Sequence, residues 1–433
     1  MLMKKLHFIS FLLTALAFYG CTNEEPFISS VENEVMPKSN RGNPYRISIN
    51  DAIKYSDRLL ADIDNINTRS PRKVESVKAV TVMTSTRSSE CINDTILYII
   101  NYEDDEGFAI VSADKRAIPV YAISETGHFE INKNSNPAIE KMVGYAHESA
   151  KYHIQKQGVN ITCPDSLPPI DTFEYQGLTP YKKIAPMLSL RQNRLGITPD
   201  IYKYVINKNG EPAKTCCAPI AVELIMSYHK WPYELEGWKF NWDTMNSGFN
   251  DDGIARIISI LSGPGYTTVY GNTLSDIGYS YVSSLLPTFK KCGYFEPDPF
   301  INFYENENTA ISHLENGPLL ITASSNEPNA NGHTWVIDGL LQYLIGDGTV
   351  VPSHNGVPIN VVTLYTYYHC VWGDEGRCNG YYLFADHDFN DAPDFFDEMD
   401  SGDISTVSWR KFSKNIKFSG NFKPKGVIIN PSK

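Results

Sequence analysis

Cysteine is scarce in this chain, with eight residues in 433, at positions 21, 91, 163, 216, 217, 292, 370 and 378. That density is far below a disulfide scaffold, so the fold has to rest on its own apolar core. Cys370 and Cys378 are the most local candidates for a pair, and connectivity cannot be read from spacing. A CxxC pair is also missing, which leaves the adjacent Cys216 and Cys217 as a weak metal pattern. Basic runs are absent too. The 38 Lys and Arg against 50 Asp and Glu give a net charge of −12, which excludes the clustered cations that phosphate backbones require. Gly (29) and Pro (26) are at ordinary levels, so collagen-like and low-complexity readings fail. What is present is a globular composition, 42% apolar, with 26 Tyr, 20 Phe and 6 Trp. This suits a β-rich protein of two or three domains.

The longest apolar stretch lies at the N-terminus. Lys4 and Lys5 precede the twelve apolar-rich residues Phe8 to Tyr19, too short to span a bilayer and suited to an export signal. Gly20-Cys21 followed by Thr22-Asn23-Glu24-Glu25 looks like a bacterial lipoprotein cleavage site, which makes residues 1–20 a signal peptide and Cys21 the lipidated residue. A plain secretory signal with a stray Cys is the alternative. Residues 21–45 are polar and turn-rich, as a tether would be.

A helical pattern runs from Ser48 to Asp62, and three β-rich runs follow, at Thr95–Tyr102, Gly107–Ala113 and Ile118–Ile123. Asn136-Pro137 opens another helix, with Ile139, Met142, Val143 and Ala146 on one face. Together these make a small α+β domain over residues 46–160. The Pro-containing stretch Cys163–Ile170 marks a linker at 161–175, and a second domain occupies 176–433. There the spacing predicts a strong helix from Cys217 to His229. Strands are predicted at Pro318–Ser324, Thr334–Asp338, Val361–Tyr368 and Gly380–Phe384.

The helix carries the chemistry. Pro219 is tolerated only in a first turn, so the helix starts near Cys217. Ile220, Ala221, Leu224, Ile225 and Tyr228 make an apolar face. A thiol there sits at the positive end of the helix dipole, beside unsatisfied N–H groups that favour the thiolate. The alternative is a packed structural Cys. A thiolate nucleophile needs a base, and His333 starts a short apolar strand directly after Gly332. A Cys on a helix and a His on a strand is an arrangement that can do acyl transfer. His229, at a helix C-terminus, reads as structural.

Three blocks together resemble the streptopain family of papain-fold cysteine peptidases. They are Cys217 to Pro232; Gly332-His333 through Val336-Ile337-Asp338-Gly339; and Trp372-Gly373 through Asn379-Gly380-Tyr381-Tyr382. Phe240–Met245, Asn316–Leu320 and Lys423-Pro424 add to it. Gly107–Lys115 and Asn136-Pro137 resemble that family's inhibitory propeptide.

The resemblance implies an α+β, papain-like cysteine peptidase domain, in which the Cys helix packs against an antiparallel sheet, preceded by a small α+β prodomain. It implies an exported endopeptidase made as a zymogen and processed near 161–175. Its partners would be protein or peptide substrates and its own first domain as intramolecular inhibitor. The membrane is reached by the lipid anchor only, at the outer membrane or cell surface, with secretion after processing as the other outcome. No cofactor, metal or nucleic acid is implied.

Residue by residue, Cys217 matches the nucleophile and His333 the base, with Trp372 packing over the imidazole. Cys216 falls where the family has Gly. Gln192 is the candidate oxyanion-hole amide, the alternative being an ordinary surface amide. The chief departure is His369-Cys370-Val371-Trp372-Gly373-Asp374, where the family has His-x-Asn-Trp-Gly-Trp. Val371 has no polar group to orient the base, although Asp374 could supply a contact. That departure supports an alternative, an impaired homologue acting as an envelope binding lipoprotein. Acyl transfer to an amine is a third reading.

Overall fold

The computed structural model describes residues 45–64, 72–85, 91–129, 144–154, 179–189, 192, 195–248, 251–271, 273–275, 278–323, 332–352, 358–383 and 416–425. Cys21, the expected lipidation residue, the expected linker at 161–175 and the first part of the helix expected from Asn136 lie outside them.

The chain opens with helix α1 (Ile49–Asp64), capped by the Ser48 hydroxyl, which accepts the Asp51 N–H at 3.1 Å. Ala52, Ser56, Leu59 and Leu60 fall on one face and are buried against the first strands. Those strands are β1 (Val74–Ser85), β2 (Cys91–Tyr102), β3 (Phe108–Ser112) and β4 (Val120–Ser124), paired antiparallel in sequence order. Every residue of β3 and β4 is buried, as expected of strands covered on both faces. Arg72 ties α1 to this sheet: its guanidinium donates to both Asp64 oxygens (2.8 and 2.6 Å) and to the Ser124 carbonyl (2.8 Å).

The remaining strands are β5 (Thr179–Ile184), a small hairpin of β6 (Glu234–Leu235) and β7 (Trp238–Lys239), β8 (Ile301–Asn302), β9 (Leu319–Ala323), β10 (His333–Pro352), β11 (Pro358–Val371), β12 (Gly380–Leu383) and β13 (Lys417–Ser419). Hydrogen bonding runs β1-β2-β3-β4-β12-β11-β10-β9-β13-β8, with β5 also on β10. The two strand sets expected as separate domains therefore share one sheet, joined where β4 pairs with β12. The joint is tight. A Cβ at Gly380 would lie 2.2 Å from the Ile123 carbonyl oxygen, so only glycine fits there. Across the joint, the Glu125 N–H donates to the Asn379 carbonyl at 2.7 Å and the Tyr367 hydroxyl to the Val120 carbonyl at 2.9 Å.

Helix α2 (Cys217–His229) is buried from Ala218 to Ser227 and packs on β9 and β10. Behind it α3 (Asp251–Ser262) contributes Ile254, Ile257, Ile258 and Leu261 to a second core that also holds Ile220, Leu224, Leu320, Val336 and Val371. No described helix is long and apolar enough to cross a membrane. Cys370 and Cys378, the candidate disulfide, are both buried free thiols. The Cys370 thiol turns to the Tyr368 carbonyl of its own strand, 3.6 Å away, rather than toward Cys378.

Beside the joint lies a buried ionic cluster. His369 on β11 is fully buried, with Nδ1 2.5 Å from Asp338 on β10 and Nε2 3.4 Å from Glu125, which follows β4. Burial pushes the His369 imidazole down, but the Asp338 and Glu125 carboxylates outweigh that and hold it at about 10. Asp338 also accepts the N–H groups of Met187 and Leu188 at 3.0 and 2.8 Å. A histidine raised in the folded state stabilises fully below its unfolded value of roughly 6.5, and that contribution is lost as pH rises toward the folded value. Chemical denaturation should therefore show stability falling across this alkaline window. His369→Gln should flatten the fall; an unchanged slope would assign it to other groups.

Candidate active site

Cys216 and Cys217 straddle the start of α2. Cys216 is the N-cap, with extended backbone (φ −128°, ψ −175°), and Cys217 is the first helical residue. The helix is well placed to begin here: Pro219 lies within its first turn, where a missing N–H costs nothing. Cys216 is buried at 3% exposure, whereas Cys217 is partly exposed. The vicinal pair thus consists of one buried residue and one partly exposed residue.

His333, the first residue of β10, comes to Cys217 because β10 packs across α2. Its ring faces the Cys217 sulfur, close enough for the two charges to act on each other. The Cys217 thiol is held well below the ordinary thiol range. The Cys216 thiol bonded to its sulfur is the main cause; burial opposes it, and the charge and hydrogen bond of His333 and the Thr334 N–H add to it. Cys216 moves the other way, pushed well up by its bond to Cys217 and by burial. Burial lowers His333, but the Cys217 charge and bond, the Trp372 carbonyl and Asp374 leave it raised. Both shifts run toward the charged form of each partner.

What orients the imidazole is a backbone atom. His333 Nε2 lies 3.1 Å from the Trp372 carbonyl oxygen. A carbonyl only accepts, so Nε2 carries the proton and donates, which leaves Nδ1 for the sulfur. Trp335 stacks on the His333 ring (5.9 Å between centroids, 18°), and Trp372 lies beside it at 6.1 Å. Val371, at the place of the family's Asn, is fully buried opposite Val336 in the core of α2. Its side chain belongs to the packing, and the next residue's carbonyl provides the acceptor. The Asp374 carboxylate is paired with Arg377 at 2.8 Å and acts on His333 through its charge.

Gln192 is a correction. Its Oε1 accepts the Ser189 N–H at 2.6 Å and its Nε2 donates to the Ser227 hydroxyl. Ser227 is ten residues after Cys217, about 15 Å along the helix. The amide is buried and committed at that end, so it is neither the surface amide nor the group beside Cys217. Of the predicted residues, Cys217, His333 and Trp372 come together and Gln192 does not. Sequence reasoning missed the Cys216 thiol and the Trp372 carbonyl. A thiol in place of Gly was a visible sign of the first; a main-chain acceptor leaves none. Among the described residues no group of His, Cys, Asp and Glu is arranged to hold a metal ion.

Alkylation with iodoacetamide, mapped by peptide mass, should modify Cys217 and spare Cys216, with a pH midpoint below the ordinary thiol value of about 8.5. Cys216→Ala should move that midpoint up. A midpoint unchanged by the substitution would remove the Cys216 thiol from the account.

Residues 47–150 match the family model described as Spi protease inhibitor. No curated protein matches the chain. Among solved structures, a fragment of Prevotella intermedia prointerpain A, in a cysteine-to-alanine form, aligns with a TM-score of 0.46 and 14% identity over 79% of this chain and 98% of that one. The active wild-type interpain A cysteine protease of the same organism aligns with a TM-score of 0.36 and 14% identity, over 55% and 94%. With an inhibitor-type segment at 47–150 and a Cys–His pair downstream of it, the chain resembles the streptopain-like, papain-fold cysteine peptidases that carry an N-terminal propeptide.

Proposed function

We propose that this chain is a cysteine endopeptidase made as a zymogen, with Cys217 as nucleophile and His333 as base. The observation that carries the reading is the placement of His333, its Nε2 held by the Trp372 carbonyl, against Cys217 at the start of a buried helix, with both partners shifted toward the charged form. The Cys217 sulfur attacks a peptide carbonyl, and the C–S bond forms as the carbonyl electrons move to oxygen. The Cys217 N–H, at the first turn of α2, faces that developing oxyanion. Collapse breaks the C–N bond, His333 delivers its proton to the leaving amine, and water then hydrolyses the thioester with His333 as base. Gln192 has no part in this scheme.

The non-catalytic binding reading drew its force from Val371. The Trp372 carbonyl at 3.1 Å meets the need that Val371 leaves unmet, so the peptidase is favoured. The match of 47–150 to a protease inhibitor model supports the first domain as intramolecular inhibitor, with protein or peptide substrates. In this reading processing falls at 161–175, and release of the first domain parts β4 from β12. Papain-like architecture, export and a lipid on Cys21 at the outer membrane or cell surface belong to the same proposal, the last two on sequence alone.

In processed protein, Cys217→Ala should abolish peptide hydrolysis. His333→Ala should lower kcat/KM by roughly 10²–10⁴-fold, the usual reach of general acid–base catalysis. Hydrolysis surviving in Cys217→Ala, measured on a quenched peptide pool, would defeat the assignment.

A further inference from the structure

We propose that Asn379 is a positioning residue for His333, acting through Trp372 in place of the side-chain amide that position 371 lacks. The inference rests on the Cys217–His333 reading above.

Trp372 is held from two sides. The Asn379 Oδ1 accepts the Trp372 N–H at 3.0 Å, and the indole Nε1–H donates to the Cys378 carbonyl at 3.0 Å. Its carbonyl is the acceptor for His333 Nε2–H. The chain reverses immediately afterwards at Gly373 (φ 72°), where a Cβ would lie 2.9 Å from the Ile220 side chain of α2. The turn closes through Arg377 N–H to the Asp374 carbonyl (2.8 Å) and Asn379 N–H to the Gly376 carbonyl (3.2 Å).

Asn379 is 3% exposed and is itself anchored from the other domain. Its carbonyl accepts the Glu125 N–H at 2.7 Å and the Ser124 hydroxyl at 3.1 Å. One buried residue thus links the β4–β12 joint to the atom that orients the imidazole. A buried amide in a turn often serves only to satisfy backbone groups. Here the group it satisfies belongs to the residue whose carbonyl meets the base.

The groups facing the pair are the Cys216 thiol and Thr334 N–H on Cys217, and the Trp372 carbonyl and Asp374 on His333. Asp374 is engaged by Arg377, which also lies 3.4 Å from Glu375. The Trp372 carbonyl favours the imidazolium, and the imidazolium favours the thiolate. Losing the acceptor's alignment should therefore raise the pH at which Cys217 ionises.

The test is the pH dependence of iodoacetamide alkylation of Cys217 in the full chain, read beside the melting temperature. Asn379→Ala should raise the midpoint by about one pH unit, the scale of a weakened charged hydrogen bond. Asn379→Asp, which keeps an acceptor oxygen in place, should leave it at or below the wild-type value. A purely structural Asn379 would lower the melting temperature and leave the midpoint where it was; that result in folded Asn379→Ala overturns the proposal. Should the alanine variant not fold, Asn379→Ser carries the same expectation, because its hydroxyl stops short of the Trp372 N–H. A wild-type Cys217 that titrates as an ordinary thiol brings down the pair itself and this proposal with it. A depressed wild-type midpoint unmoved by the substitution overturns the role of Asn379 alone.

Discussion

The approach of the His333 ring to the Cys217 sulfur is the contact on which the rest of the molecule bears. A thiolate in a partly buried cleft is costly unless its charge is met. At Cys217 the groups at hand are the His333 imidazole, the Cys216 thiol and the Thr334 N–H, at the positive end of a helix. These groups come from three pieces of chain. Cys216 comes from the cap, His333 and Thr334 from the start of β10, and the helix field from α2. The core formed by Ile220, Leu224, Val336 and Val371 keeps that helix and that strand in one relative position.

The acceptor behind the imidazole shows how a fold can tolerate losing a side chain. Orientation requires an oxygen in the right place, and a carbonyl supplies one whatever the residue type. Val371 can then serve the core, since the turn that follows it presents the Trp372 carbonyl to the ring. The same turn carries the joint between the two halves of the sheet. The first domain, matched to a protease inhibitor model, is therefore bonded to the segment that aligns the base as well as being part of the same chain. The His369 cluster next to it places one carboxylate on each side of that joint.

Much of this was legible in the sequence. Helix α1, strands β2 to β4 and helix α2 follow from apolar periodicity and Pro219, because local pattern and final burial agree there. Strand β1 was missed because Glu75 and Lys78 interrupt its apolar positions. The length of the β10–β11 hairpin was missed because Gly339, directly after the predicted Thr334–Asp338 run, looks like its end. The joining of β4 to β12 is a pairing between segments more than 250 residues apart, which no local pattern encodes. In the site, Cys217 and His333 could be named from their elements, since a helix start and a strand start each carry a sequence mark. Gln192 could not be placed. Its side chain is directed by Ser189 and Ser227, and spacing alone does not fix where such a side chain points.

The account stands on Cys217 being ionised in the resting protein near neutral pH. Thiolate absorbance in the ultraviolet, taken as the difference between the full chain and Cys217→Ser during an acid titration, reports this without substrate or probe. The account predicts a difference signal already present at neutral pH and lost only well into the acid range. A signal absent at neutral pH and appearing only as an ordinary thiol ionises, near 8.5, would contradict it.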